Sequence, residues 1–525
     1  MSAIRTNQLN ILAAKNFLAD VESVNNSYYT FIALTNPESL SPTWDSAPLS
    51  PKDSFDDENI VWDSIIALKK INVEDISLVV NKNTWESGRV YDMYRHNITR
   101  DNLSKPSNFT NLYYSNYYVV NQDYRVYICL NNGTSPEYPS GRPSLDEPLF
   151  TDLEPRSAGT SGDGYIWKYL YTIKPSQIIK FDSVNYIPVP KNWSTNSDVA
   201  DVRNNASTSG QLKVVLITNR GLNVGTANQT YTNVPIKGDG SGAEATIVVN
   251  SESKVESITV TNGGSNYTFG TVDLTSLPNA TVTPTFEVII PPQGGHGYDI
   301  YRELGSTNIM IYSRIENDIE NPDFITGNKF ARIGIVQNPK EYDSNLNVTL
   351  DKASSVGALI LKGDQSAPDA YQSASFTVNS IVTQTIGTGV TAAGRVVSYD
   401  PFTGVLKYWQ DRSIAGFNTD GTKSNTSLYG YQLQRFTATP TGSGSLKINN
   451  GSVDLYIDSQ FGTISNPGVS TVINNRTYYL GQKFISGVSN PEVKKYSGNI
   501  IYVSNIESNL RTKNQKEDIK IILQF

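Results

Sequence analysis

Cysteine is almost absent. Cys129 is the only one in 525 residues, so no internal disulfide can form. It sits in Val126-Tyr127-Ile128-Cys129-Leu130, an apolar run that reads as a buried strand, where a free thiol is an inert packing group rather than a nucleophile. Histidine is nearly as scarce. His96 and His296 are far apart in the chain, which leaves a zinc site or a Cys/His pair without its ligands. No apolar run approaches the ~20 residues that span a bilayer. The opening Met1-Ser-Ala-Ile-Arg-Thr-Asn lacks the basic-then-apolar layout of a signal peptide. Neither membrane insertion nor export by that route is expected. Charged residues make up 18% with a net charge of −7, which provides no basic field for nucleic acid. Together these absences argue against most familiar catalysis, and the expectation is a protein with no metal and no cofactor that is not an enzyme.

What is present points to β structure. Thirty-one Tyr and 38 Gly beside so few charges describe strands joined by many turns, and the length calls for about three or four domains. Helical spacing over Ile4–Val21 predicts an amphipathic helix. A second helix is expected to start at Asp56-Asp57-Glu58, to carry Ile60, Ile65, Ile66 and Leu68, and to end at Lys69-Lys70. Acid at its start and base at its end complement the helix dipole, so the acidic trio is read as helix-start charge rather than a calcium site. Strands are expected at Tyr28–Leu34 (stopped by Asn36-Pro37), at Ile76–Val80, and as a pair at Tyr113–Val120 and Tyr124–Leu130. The long Pro, Ser and Gly-rich stretch 133–162 and the loop 36–56 are of the length that usually serves contacts.

Gly162-Asp163-Gly164 then turns into Tyr165-Ile-Trp167-Lys-Tyr169-Leu-Tyr171-Thr. The period of two predicts that the four aromatics share one face of a strand. Between 204 and 292, short β runs alternate with Gly and Asn turns. Leu216-Ile-Thr-Asn-Arg-Gly221 is echoed by Val260-Thr-Asn-Gly-Gly264. The loop Lys237-Gly-Asp239-Gly-Ser-Gly242 lacks both a P-loop ending and the carboxylates of a calcium loop, and reads as a tight turn. His296, in Gln293-Gly-Gly-His-Gly-Tyr298, could serve as a general base only with a partner carboxylate, and none is identifiable beside it in the sequence. Asp400-Pro-Phe-Thr-Gly404 reads as a hairpin turn.

In this order, several of these pieces resemble the baseplate wedge subunits of contractile-tailed, T-even-like bacteriophages (the gene-product-eight family). The pieces are Trp85 with Tyr91 and Tyr94, Val126–Leu130, Gly162–Leu170, Tyr186-Ile-Pro-Val-Pro190, Ile333-Gly-Ile-Val-Gln-Asn-Pro339, Ser497-Gly-Asn-Ile-Ile-Tyr502 and Glu517–Phe525. Trp85, Gly162, Asp163, Gly164, Tyr165, Trp167, Tyr169 and Phe525 are the family-signature and core positions. The resemblance covers roughly the first 200 residues, about 293–345, and the last 45 or so. It implies a mainly β, multi-domain β-sandwich core with a few peripheral helices, enlarged here by two inserted all-β modules. The corresponding boundaries are 1–203, 293–346 and 476–525 for the core, with inserts at 204–292 and 347–475. It also implies a virion structural protein that assembles in the host cytoplasm, forms a homodimer within each wedge, and binds the other wedge subunits and neighbouring wedges. The family supplies no catalytic residues. The alternative reading is a glycan-binding or glycan-cleaving tail protein, motivated by the many Tyr and Trp, the β-rich inserts and the available carboxylates.

Overall fold

The computed structural model describes residues 5–35, 43–206, 210–278, 280–316, 324–411, 434–449, 454–465, 471–473, 476–478, 481–512 and 514–525. The protein is mainly β, with many antiparallel sheets and few, mostly short helices. It divides into two compact units. Unit 1 comprises 1–18, 76–311 and 521–525, and unit 2 comprises 19–75 and 312–520.

The first helix, α1 (Asn7–Glu22), buries Ile11, Ala14, Leu18 and Val21 at alternating three- and four-residue spacing and leaves Leu9 and Leu12 outward. One apolar face therefore holds it. Strand β1 (Tyr28–Leu34) is buried at every position, as expected of an apolar run in the middle of a sheet. The Asn36-Pro37 stop lies outside the described residues. Helix α2 (Phe55–Ser64) starts on Ser54, whose hydroxyl accepts the Asp57 N–H at 3.2 Å, with Asp56, Asp57 and Glu58 in its first turn.

The second half of the expected helix is instead strand β2 (Ile65–Lys70). Ile65, Ile66, Ala67 and Leu68 are all buried, and β2 pairs with β1 through Phe31↔Leu68 and Ile32↔Ala67. A run that must be covered all round gains more between two strands than on a helix with one wet face, so tertiary pairing overrides the helical spacing. Lys69 and Lys70 end a strand and cap no helix dipole. Unit 2 is built on this sheet, in the order Lys352–Ser354, β2, β1, Lys329–Gln337, Asn499–Leu510. Its core includes Tyr29, Phe31, Trp62, Leu68 and Val336. A second sheet of unit 2 runs through Ile381–Gly387, Val390–Asp400, Val405–Trp409 and Gly357–Lys362. In its hairpin, Asp400 pairs with Val405 and Gly404 donates its N–H to the Asp400 carbonyl at 2.8 Å.

In unit 1, β3 (Ile76–Asn81) lies between the strand Asn308–Glu316 and β7 (Tyr186–Pro188). Strands β4 (Tyr118–Val120), β5 (Arg125–Asn132) and β6 (Tyr165–Thr172) form a three-stranded sheet. Tyr113 belongs to a single 3-10 turn, Leu112–Tyr114, rather than to the expected strand. Short helices α3 (Pro175–Phe181), α4 (Ala200–Asn205) and α5 (Ile300–Leu304) complete the unit.

Residues 212–290 enclose a hydrophobic cluster of their own, with Val234, Ile236, Ala245, Ile247 and Tyr267 at its centre. Along Ser241–Val249 the inward residues are Ala243, Ala245, Ile247 and Val249, the period of a half-buried strand. The echoed sequences fold alike. Asn219 Oδ1 accepts the Gly221 N–H at 2.8 Å and Asn262 Oδ1 accepts that of Gly264 at 3.1 Å. Both are Asx turns closed on a positive-φ glycine. Among the described residues no helix is long and apolar enough to cross a membrane.

Candidate functional site

The Gly162-Asp163-Gly164 turn starts β6 and anchors the 133–162 stretch to it. Asp163 is buried; its Oδ1 accepts the Tyr165 N–H at 3.0 Å and its Oδ2 the Leu145 N–H at 2.9 Å. Gly164 has φ +89°, and a Cβ there would lie 2.9 Å from the Cα of Gly133. Glycine is needed both for the backbone angle and for this approach. Gly164→Ala is expected to cost about 1–3 kcal/mol through backbone strain, read as a lower midpoint in urea unfolding; Gly162→Ala shares the positive φ (+70°) but is expected to cost less, because nothing lies within 4 Å of a Cβ there whereas the Cβ at 164 meets Gly133.

The aromatic row is interrupted. In the pairing of β5 with β6, Tyr127 faces Tyr169 and Val126 faces Tyr171, so Leu170 has no cross-strand partner. One bulged residue reverses the alternation beyond it. Tyr165 and Trp167 stack with centroids 5.2 Å apart, and Tyr169 meets Tyr127 at 5.8 Å. Tyr171 turns instead to Trp193 at 6.3 Å. Trp167 is fully buried, with Tyr91 edge-on at 5.9 Å and Cys129 as its cross-strand partner. Burial pushes the Cys129 thiol well above its usual range, in keeping with an inert core thiol.

Side chains from the sheet hold the 133–162 stretch along its length. Tyr165 Oη donates to the Arg142 carbonyl (2.8 Å), Asn121 Nδ2 to that of Pro148 (2.9 Å) and Tyr127 Oη to that of Phe150 (2.6 Å). Arg156 exchanges two backbone hydrogen bonds with Trp167, each 3.0 Å. Trp85, half-buried, joins the same assembly through Nε1 to Ser144 Oγ at 3.1 Å. Tyr138, Leu145 and Leu149 remain exposed on the stretch. Phe525 is not part of this group. Its ring packs 5.6 Å from that of Phe17, and its N–H donates to the Thr307 carbonyl.

Two buried ionisable groups were not legible as a pair. His296 does have a carboxylate beside it: its Nδ1 is 2.7 Å from Glu303 Oε1, and Glu303 Oε2 accepts the Gly297 N–H at 2.6 Å. Asp299 caps α5 through the N–H groups of Tyr301 and Arg302, which returns Glu303 to the His296 turn. Lys168 is also buried, and its Nζ donates to the Leu153 carbonyl (2.6 Å) and to Asn205 Oδ1 (2.8 Å). Lys168 and His296 line one cavity of about 10 Å³, room for about one water and no substrate. The arrangement pins a loop and α4 to β6.

Desolvation lowers the Lys168 pKa from 10.5 to about 8, opposed by Glu303 and Glu154 and reinforced by Lys213. Between those two values the unfolded chain binds more protons than the folded one, so stability rises with pH across that window. The wild type is expected to gain on the order of 1–3 kcal/mol more than Lys168→Met between pH 8 and 10, measured as the difference between their urea midpoints. Lys495, also lowered to about 8 by burial, contributes equally to both proteins and cancels.

In unit 2, a groove of about 540 Å³ lies between the 49–58 segment and Ile500–Val503. The Arg332 guanidinium sits over the Trp44 ring at 4.7 Å and donates to the Leu34 carbonyl and Ser64 Oγ, each at 3.0 Å. The Asp239 carboxylate ties its turn to a distant loop by accepting the N–H groups of Thr268 and Phe269. Among the described residues no group of three or more His, Cys, Asp or Glu is arranged to hold a metal ion. In comparisons with known proteins, no family model matches the chain and no curated protein matches it.

Proposed function

We propose that this chain is a structural subunit of the baseplate wedge of a contractile bacteriophage tail, a homodimer that joins the other wedge subunits and neighbouring wedges in the virion after assembly in the host cytoplasm. The observation that carries this reading is the 133–162 stretch: its backbone is fastened to β5 and β6, yet it presents Tyr138, Leu145 and Leu149 to the outside. A contact surface ordered before binding loses little entropy on association. The described part of the 36–56 loop is tied down in the same way, with Trp44 Nε1 on the Ile506 carbonyl (2.9 Å) and Asn505 Nδ2 on that of Leu49 (2.7 Å); residues 36–42 lie outside the described residues. Repetition around a plate lets modest contacts of this kind add as avidity, and interfaces worth a few kcal/mol each allow later rearrangement. The test mixes the purified chain with neighbouring wedge subunits and follows mass by light scattering and shape by electron microscopy. Dimers that enter a larger complex are expected; a monomer that joins nothing overturns the reading.

A further inference from the structure

We infer that unit 1 also carries a binding cleft for a neutral sugar residue, a role separate from scaffolding and argued from different residues. A partly open cavity of about 110 Å³ lies among the first turns of α1, the end of β3 and the turn that follows α5. Its polar wall is made of carboxamides: Asn7, Asn10, Asn81, Asn111, Asn308 and Gln524. None of the lining side chains carries a charge, which disfavours phosphate or carboxylate, since a buried anion needs a cation beside it.

Asn308 is 9% exposed, and its Oδ1, like that of Asn10, has no hydrogen-bond partner among the described residues. A buried carboxamide oxygen left in that state keeps its desolvation penalty uncompensated, so a guest that brings hydroxyl donors is favoured. A carboxamide offers both donor and acceptor in one plane, the pattern that adjacent sugar hydroxyls match. Water takes ~30 Å³ each in the liquid, so the cavity holds a few waters that the hydroxyl edge of one sugar ring can replace.

The mouth suits the other face of such a ring. Asn111 Oδ1 caps the turn bearing Tyr113 and Tyr114. Tyr114 is 59% exposed and meets the exposed Phe109 with centroids 6.3 Å apart, an aromatic shelf for C–H groups. Asn7, Asn111 and Tyr113 also line an adjoining open groove of about 600 Å³, which gives room for further sugar units.

The test is saturation-transfer NMR of the full chain with glucose, galactose and N-acetylglucosamine, followed by titration of whichever binds. At least one is expected to give a signal. Asn308→Ala and Tyr114→Ala are each expected to weaken it on the order of tenfold, the effect of losing a contact worth about 1.4 kcal/mol. Tyr114 is exposed, so its variant should keep the wild-type melting curve even if Asn308→Ala does not. Silence from all three sugars, or undiminished binding in a folded Tyr114→Ala, overturns the proposal. So does a density map in excess sugar that shows ordered water only in the cavity. None of these outcomes affects the assembly test, because that test reads complex formation and not sugar.

Discussion

Trp167→Ala is expected to lower unfolding stability by about 3–5 kcal/mol, measured by urea denaturation with circular dichroism. The indole is fully buried, stacked on Tyr165 and met edge-on by Tyr91, so truncation leaves a cavity that those rigid rings cannot close. Its Nε1 has no hydrogen-bond partner among the described residues. Trp167→Phe removes that unmatched donor and keeps an aromatic ring, so it is expected to cost less than half as much. Assembly of Trp167→Ala should fail only to the extent that folding fails. A variant that melts normally yet joins no complex would place Trp167 in an interface and contradict the buried reading.

Glu517→Ala is expected to cost a similar ~3–5 kcal/mol, for an electrostatic reason. Arg511 Nε donates to both Glu517 carboxylate oxygens, at 2.9 and 3.0 Å, and its Nη1 to the carbonyls of Phe324 and Ile325. The Arg511 side chain is 1% exposed. Removing the carboxylate leaves a desolvated guanidinium without its counter-charge. The double variant Arg511→Met with Glu517→Ala removes both charges and should recover much of the loss. A single variant as stable as the wild type would show that water reaches Arg511.

These two residues also show what the chain discloses in advance. Trp167 was readable because a local alternation announces a strand. The bulge at Leu170 was not, because it is set by how β5 pairs with β6 and leaves no trace in β6 alone. The same holds for Ile65–Leu68: the residues carry helical spacing, and only the flanking strands make a sheet the better burial. β1 was legible because Tyr28-Tyr-Thr-Phe-Ile32 is aromatic and β-branched, the make-up that favours a strand. The Asx turns at Asn219 and Asn262 were legible as an echo because each closes within three residues. His296 and Glu303 are only seven positions apart, and the spacing becomes meaningful once Asp299 is seen as a helix cap between them. The carboxamides of the sugar cleft come from α1, β3, the Asn111 turn, the turn after α5 and the last residues of the chain. No local pattern joins them, and asparagine is too common at turns for its presence to signal a site.

The contact between Gly133 and Gly164 bears on how such a protein can diversify. Because the neck of the 133–162 stretch is cinched at those two glycines, the span that must be closed is the same whatever lies beyond it. For a flexible loop, each doubling in length then costs only about 0.6 kcal/mol. Lineages can therefore lengthen, shorten or rewrite the segments between the anchored positions while the sheet beneath stays under purifying constraint. The prediction for descendants is near-fixity of the two glycines and of Asp163, with changes of length confined to the stretch between them.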